Sequence, residues 1–185
     1  MALREILTEP NKLLREKSLA VEGVDENLQK LMDDMLETMY AAPGIGLAAI
    51  QIGIPKRVIV LDIGWRDKPE NTNEEEQKER KKPMYFVNPE IISKSTNNST
   101  YEEGCLSVPG QFAEINRSDK CHVKYLDYHG LPKELVAEGM LATCIQHEID
   151  HLEGILFIDY LSKLKKSMII KKLAKQKEQI DRIVI

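Results

Sequence analysis

The chain has little cysteine and nothing to staple with it. Cys105, Cys121 and Cys144 are its three cysteines in 185 residues. An odd count in a chain long enough to bury its own core argues against a disulfide framework. A reducing compartment is the simpler expectation, with thiols free for packing or for a metal. No apolar run reaches the roughly 18 residues of a spanning helix, so no membrane partner is expected. Residues 1–10 hold Arg4, Glu5 and Glu9 and no apolar stretch, a composition that fits neither a secretory signal nor a transit peptide. The cytoplasm is therefore the expected location. There is no internal repeat. The net charge is only −4, so sequence-specific nucleic-acid binding is not expected either.

What is present sorts by period into one domain over 1–185. Leu28, Leu31, Met32, Met35, Leu36 and Met39 recur at three- and four-residue steps. They predict an N-terminal helix over about 25–40 with an apolar face turned to a core. Pro43 and Gly44 end it. The small-residue stretch Gly44-Ile45-Gly46-Leu47-Ala48-Ala49-Ile50-Gln51 is too glycine-rich to start a helix and leads into a strand at 58–63. The charge-mixed stretch 65–82 reads as a surface loop without chemistry. Strands are expected at 84–87 and 90–92, followed by a turn-rich Ser/Thr/Asn segment through Thr100. Two more, at 122–127 and 131–137, flank Asp127-Tyr128-His129-Gly130, a hairpin signal. A helix then spans about 139–153, with Gly154 as its stop. A basic C-terminal helix covers 162–185. From Lys163 onward it carries eight Lys/Arg against two Asp/Glu, a charge of +6, which leaves −10 on the remainder of a chain totalling −4. That asymmetry fits either a solvated helix face or contact with an anionic surface such as RNA.

His147-Glu148-Ile149-Asp150-His151 is an HExxH sequence inside the expected helix, and it holds two of the four histidines. The four-residue spacing puts both imidazoles on one face, where they can share a divalent cation while Glu148 stands beside it as a general base. Imidazole suits zinc or iron. A hydrolytic site takes three protein ligands and keeps one position open. The extended protease pattern needs a histidine at 157, where the chain has Phe157, and a downstream carboxylate would be Glu178, inside the basic helix. Cys105 is the better third ligand. It lies in Glu102-Glu103-Gly104-Cys105-Leu106-Ser107-Val108-Pro109, a segment bounded by glycine and proline, although a cysteine taken alone reads as a buried thiol. Cys144 precedes His147 by three residues and shares its side of the helix. It is either a fourth ligand of a closed structural site, in which Glu148 has no task, or part of a pocket wall. Cys121 and His122 are neighbours in a strand, point to opposite faces and read as structural. His129 sits in a turn and reads as solvated.

Three segments together, GIGLAAIQ at 44–51, EGCLS at 103–107 and QHEIDH at 146–151, resemble the peptide deformylase family of bacterial type, in order and in separation. The resemblance extends over nearly the whole chain. It implies an α+β fold, with antiparallel sheets around a central HExxH-bearing helix, an N-terminal helix and a C-terminal helix. It implies a metal-dependent hydrolase that removes the N-formyl group from the N-terminal methionine of new polypeptides. Cys105, His147 and His151 would be the metal ligands and Glu148 the acid/base. The Gln51 amide and the Leu106 N–H would hold the formyl oxygen, and the Gly46 backbone would contact substrate. The expected ion is Fe2+, with Zn2+, Ni2+ or Co2+ able to replace it. The methionine side chain needs an apolar pocket, and Cys144 is the candidate to line it. The partners implied are N-formyl-methionyl nascent peptides and, through the basic C-terminal helix, the ribosome. Two features depart from the family's pattern: the long charged stretch 65–82, and Phe112, where many relatives carry an arginine near the substrate path.

Two other functions share the motif. A zinc endopeptidase requires a third ligand downstream, which Phe157 denies it. A non-catalytic, ribosome-associated metal-binding protein has no need of Glu148 or Gln51, and the chain has both.

Overall fold

A computed structural model describes residues 2–64 and 80–183. Three α-helices and seven strands are found among them: α1 (Glu26–Ala41), β1 (Gly46–Ala48), β2 (Val58–Leu61), β3 (Met84–Lys94), β4 (Asn98–Cys105), β5 (Val108–Ser118), β6 (Lys120–Leu126), β7 (Pro132–Glu138), α2 (Gly139–Leu152) and α3 (Lys163–Ile183). Five strands form an antiparallel sheet in the order β1-β2-β3-β6-β7, and β4 and β5 form a separate antiparallel pair. This is the expected α+β arrangement.

The helix α1 starts where the Asp25 carboxylate accepts a hydrogen bond from the Leu28 N–H at 2.8 Å. Such a cap satisfies a donor that has no partner inside the helix. Its buried face is Leu28, Leu31, Met32, Met35 and Met39. That face covers Leu47, Val58, Val60 and Val87 on one side of the sheet. The alternate residues Ala48, Ile59, Leu61 and Phe86 point the other way, against Ile145, Ile149 and Leu152 of α2. Burial on both faces explains why β2 reads as an unbroken Val-Ile-Val-Leu run. Each of these side chains other than Ala48 contributes roughly 1.5–3 kcal/mol on burial. A third cluster, with Val108, Ile115, Phe157, Ile158 and Leu173, packs β5 against the short turn Phe157–Tyr160 and α3.

Several differences from the sequence reading concern strands, the short β1 at Gly46–Ala48 among them. The segment expected to be turn-rich through Thr100 is already strand from Asn98, and the eleven-residue β5 was not anticipated. The β4–β5 ribbon buries little of one face, so polar residues fill that face and hide the period. The strands expected at 84–87 and 90–92 are one strand, interrupted by a register shift between Val87 and Glu90. At the shift, Asn88 has φ +50° and its side-chain amide bonds both backbone groups of Val21, at 2.9 and 2.7 Å. The stretch expected as a charged loop falls outside the described residues over 65–79. Arg80, Lys81 and Lys82 are exposed, and Lys81 lies 4.1 Å from the Tyr40 ring centre.

Beyond α2 the chain turns at Gly154, with φ +73°. A Cβ there would overlap the Arg15 carbonyl, so only glycine fits without a backbone shift. The N-terminal segment straps the two motif loops together. The Leu7 N–H donates to the Gln51 carbonyl at 2.7 Å, and the Glu9 N–H donates to the Ser107 carbonyl at 2.9 Å.

Candidate active site

The helix α2 presents Met140, Thr143, Cys144, His147 and Glu148 along one stripe, and all five line a cavity of about 570 Å³. The β4–β5 ribbon and the Gly44–Gly46 segment close its other sides. Cys105 ends β4, where a register shift at Gly104 and Cys105 breaks the ladder. Such irregularities re-aim a side chain. Here the thiol meets α2, with Cys105 Sγ 3.3 Å from His151 Nε2. Among the described residues, one atom each from Cys105, His147 and His151 lie within 4.8 Å of one another. One soft sulfur and two imidazole nitrogens at that spacing suit zinc or iron.

The rings are held from behind. His147 Nδ1 lies 2.8 Å from Glu103 Oε2, leaving Nε2 for an ion. The Arg117 guanidinium grips both oxygens of Glu103, at 2.5 and 3.0 Å, and reaches Asp150 at 2.7 Å. The Tyr160 hydroxyl donates to the same Asp150 oxygen at 2.9 Å. Burial alone would raise the Glu103 carboxyl, but His147 and Arg117 outweigh it and hold it below the usual range. A carboxylate behind a ligating histidine fixes its ring and raises its basicity. Burial opposes protonation of His147, yet the Cys105 thiol and Glu103 raise its pKa well above the usual value. Burial, with His147 adding, lowers that of His151 well below.

Glu148 is buried against Gly46, and its Oε2 has no hydrogen-bond partner. Burial lifts its carboxyl to about 7, against the pull of His147. A Cβ on Gly46 would overlap Glu148 Oε1 and lie 2.8 Å from its Cδ and from Leu61 Cδ2. Gly46→Ala must therefore push the carboxylate aside. A misplacement of this size at a reacting group costs about a hundredfold in rate. The expected outcome is a drop of that order in kcat with metal content and melting curve close to wild type; unchanged kcat would show that the carboxylate position is not critical.

Gln51 is buried, and its orientation follows from its partners. Its Oε1 accepts from the Ala48 N–H at 2.8 Å. Its Nε2 therefore faces the site, donating to Ser107 Oγ at 3.0 Å and lying 3.6 Å from Cys105 Sγ. Leu106 lies between the paired Cys105 and Val108, at the tip of the ribbon, and its side chain covers Gly44. Cys144 lines the cavity but is not one of the three clustered donors. Burial, with the charges of Glu148 and Glu103, pushes its thiol up to about 12, so it stays protonated at neutral pH. Cys121 is buried, His122 pairs with Glu134 at 2.9 Å on the surface, and His129 is exposed. Phe112 lies on the cavity rim, 65% exposed, with its ring over Gly104.

Sequence reasoning gave no part to Arg117, Ser107 or Asp150, and none to Glu103 beyond its place in a motif. Glu103 and Asp150 stand inside the motif segments, and that was the available signal. Arg117 lies at the far end of β5, ten residues beyond the EGCLS segment, and nothing local marks it.

An HExxH helix completed by a cysteine from a facing β-ribbon, on the wall of a cavity, defines a metal-dependent hydrolase. A family model described as polypeptide deformylase matches residues 3–167, and the chain belongs to that family. It is 63% identical, over the full length of both chains, to the peptide deformylase of Pelagibacter ubique. Its fold is similar to the crystal structure of peptide deformylase from Ehrlichia chaffeensis, with TM-score 0.86, 43% identity and coverage of 97% of this chain and 99% of that one. It is equally similar to that protein's complex with actinonin, with TM-score 0.85, 43% identity and coverage of 95% and 98%. The activity of this chain is that of the family: metal-dependent removal of the N-formyl group from newly made polypeptides.

Proposed function

We propose that Cys105, His147 and His151 hold one Fe2+ ion and that Glu148 is the acid/base of deformylation. The observation that carries this reading is the cluster of three donor atoms within 4.8 Å, with the Glu148 carboxylate buried on the same cavity wall. A divalent cation among those donors supplies a Lewis acid and brings the pKa of a water toward neutrality. Glu148 takes a proton from the attacking water and passes it to the leaving amine. The Gln51 amide and the Leu106 N–H face the formyl oxygen and stabilise the charge that develops there. The Gly46 backbone and Leu106 bound a slot that takes a hydrogen on the carbonyl carbon and refuses a methyl. Cys144, a neutral thiol, lines the pocket for the methionine side chain.

The whole chain works as one domain on the N-formyl-methionyl ends of nascent peptides. Exposed Lys163, Lys165, Lys171, Lys172 and Lys175 on α3, with exposed Leu164 and Met168, support contact of that helix with the ribosome. No described helix is long and apolar enough to cross a membrane, and the cytoplasm is the location we assign.

Formate release from formyl-methionyl and acetyl-methionyl tripeptides, by protein purified without oxygen, tests the reading. Rapid release from the first and little turnover of the second are expected. Similar rates on both would remove the slot, and no formate from metal-replete protein would remove the assignment of the site.

A further inference from the structure

Behind the cavity wall stands a buried hydroxyl to which no step above gives a task. Ser107 is 0% exposed and is not among the residues that line the cavity, so it meets neither solvent nor substrate. Its Oγ accepts a hydrogen bond from Gln51 Nε2 at 3.0 Å, and Gln51, which does line the cavity, is 1% exposed. At the other end of the same amide, Oε1 accepts from the Ala48 N–H at 2.8 Å. An amide nitrogen carries two hydrogens. Ser107 takes one of them, and the second is left on the side of Cys105, whose Sγ lies 3.6 Å from Nε2. The backbones that carry the two side chains are tied to one N-terminal segment, through the Leu7 N–H on the Gln51 carbonyl and the Glu9 N–H on the Ser107 carbonyl. Donor and acceptor, 56 residues apart in sequence, are thus held at a set distance.

We propose that Ser107 is a positioning residue for deformylation: its hydroxyl fixes the Gln51 amide, so that one hydrogen of Nε2 is tied to the protein and the other is held ready for the formyl oxygen. The inference rests on the reading of Gln51 as a holder of that oxygen. A donor aimed in advance at developing charge needs no reorganisation as the reaction proceeds. The charge on the formyl oxygen is largest in the transition state, so Ser107 acts on kcat more than on KM. Alanine at this position leaves Gln51 held at Oε1 alone. The amide then rocks about that single bond, and a buried N–H is left without its acceptor and without water to replace it.

The test is a double-mutant cycle. It measures kcat and KM on a formyl-methionyl tripeptide for wild type, Ser107→Ala, Gln51→Leu and the double variant, with each rate expressed per bound metal ion from elemental analysis. Gln51→Leu should lose about a hundredfold in kcat, as removal of one oxyanion donor does. Ser107→Ala should lose about tenfold in kcat, the effect of one hydrogen bond, with KM within about twofold of wild type. The double variant should be no slower than Gln51→Leu, because without the amide the hydroxyl has nothing to aim. An unchanged kcat in Ser107→Ala overturns the proposal, as does a loss confined to KM. So does an equal loss from Ser107→Ala with and without Gln51, the mark of a defect in fold or metal site. Full activity in Gln51→Leu would remove the role of Gln51 and that of Ser107 with it. A wild type that releases no formate would instead remove the deformylase site on which both stand.

Discussion

Replacing Glu148 by glutamine is expected to lower kcat for formyl-methionyl peptides by about 10²–10⁴-fold, the usual contribution of a positioned general acid/base. In the proposed mechanism two proton transfers run through this one carboxylate, so the upper part of the range is expected. The substitution preserves shape, and Gly46 already makes room for a side chain of that size. Cys105, His147 and His151 are untouched, so metal content should stay near one ion per chain. KM should change little, because the interaction lost belongs to the transition state. Single-turnover formate release with elemental analysis of the same samples checks both halves. A variant that keeps its metal and loses less than tenfold in rate would take the acid/base role from Glu148.

Arg117→Met is the second large effect, and it acts on folding and on the metal together. Arg117 is 6% exposed and binds two carboxylates, Glu103 and Asp150. Their charges outweigh the desolvation of the guanidinium and keep it ionised. Removing one member of a buried ion network leaves uncompensated charge and costs about 3–5 kcal/mol. With Arg117 gone, the cheapest relief is protonation of Glu103. A protonated Glu103 holds His147 less firmly, and losing such a partner lowers metal affinity about 10–100-fold. Urea unfolding of the metal-free protein separates the stability loss from the metal effect, and a competitive chelator titration reads the affinity. The double variant Arg117→Met with Glu103→Gln should recover part of the stability, because the stranded charge is gone, without recovering metal affinity. A loss under about 1 kcal/mol in the single variant, with unchanged affinity, would show that the network neither supports the ribbon nor holds the histidine.

The two predictions draw on information of different visibility. Glu148 was legible because HExxH is local: five consecutive residues and a helical period place two rings and a carboxylate at one site. Arg117 was not. It sits in β5, 30 residues before His147, in a strand that was itself unread, and it matters only because the ribbon lies against α2. The register of that ribbon, not any local pattern, pairs Glu103 with Ala113 and sets Arg117 beside the Glu103 carboxylate.

The sequence by itself determined the reaction class, the histidine pair and glutamate that we propose as ligands and base, the cysteine that we propose completes the donor set, and the helices over 25–40 and 139–153. These follow from residue type and short spacing, which a chain carries wherever it folds. The tertiary structure alone decided how Cys105 reaches α2 and that the amide nitrogen of Gln51, not its oxygen, faces the site. It also decided that Cys144 stands apart from the clustered donors and that Arg117 locks Glu103 behind His147. Each of these depends on side chains from distant segments meeting within a few ångströms, and on water being excluded where they meet. Strand register and burial set those distances, and no local stretch of sequence encodes either one.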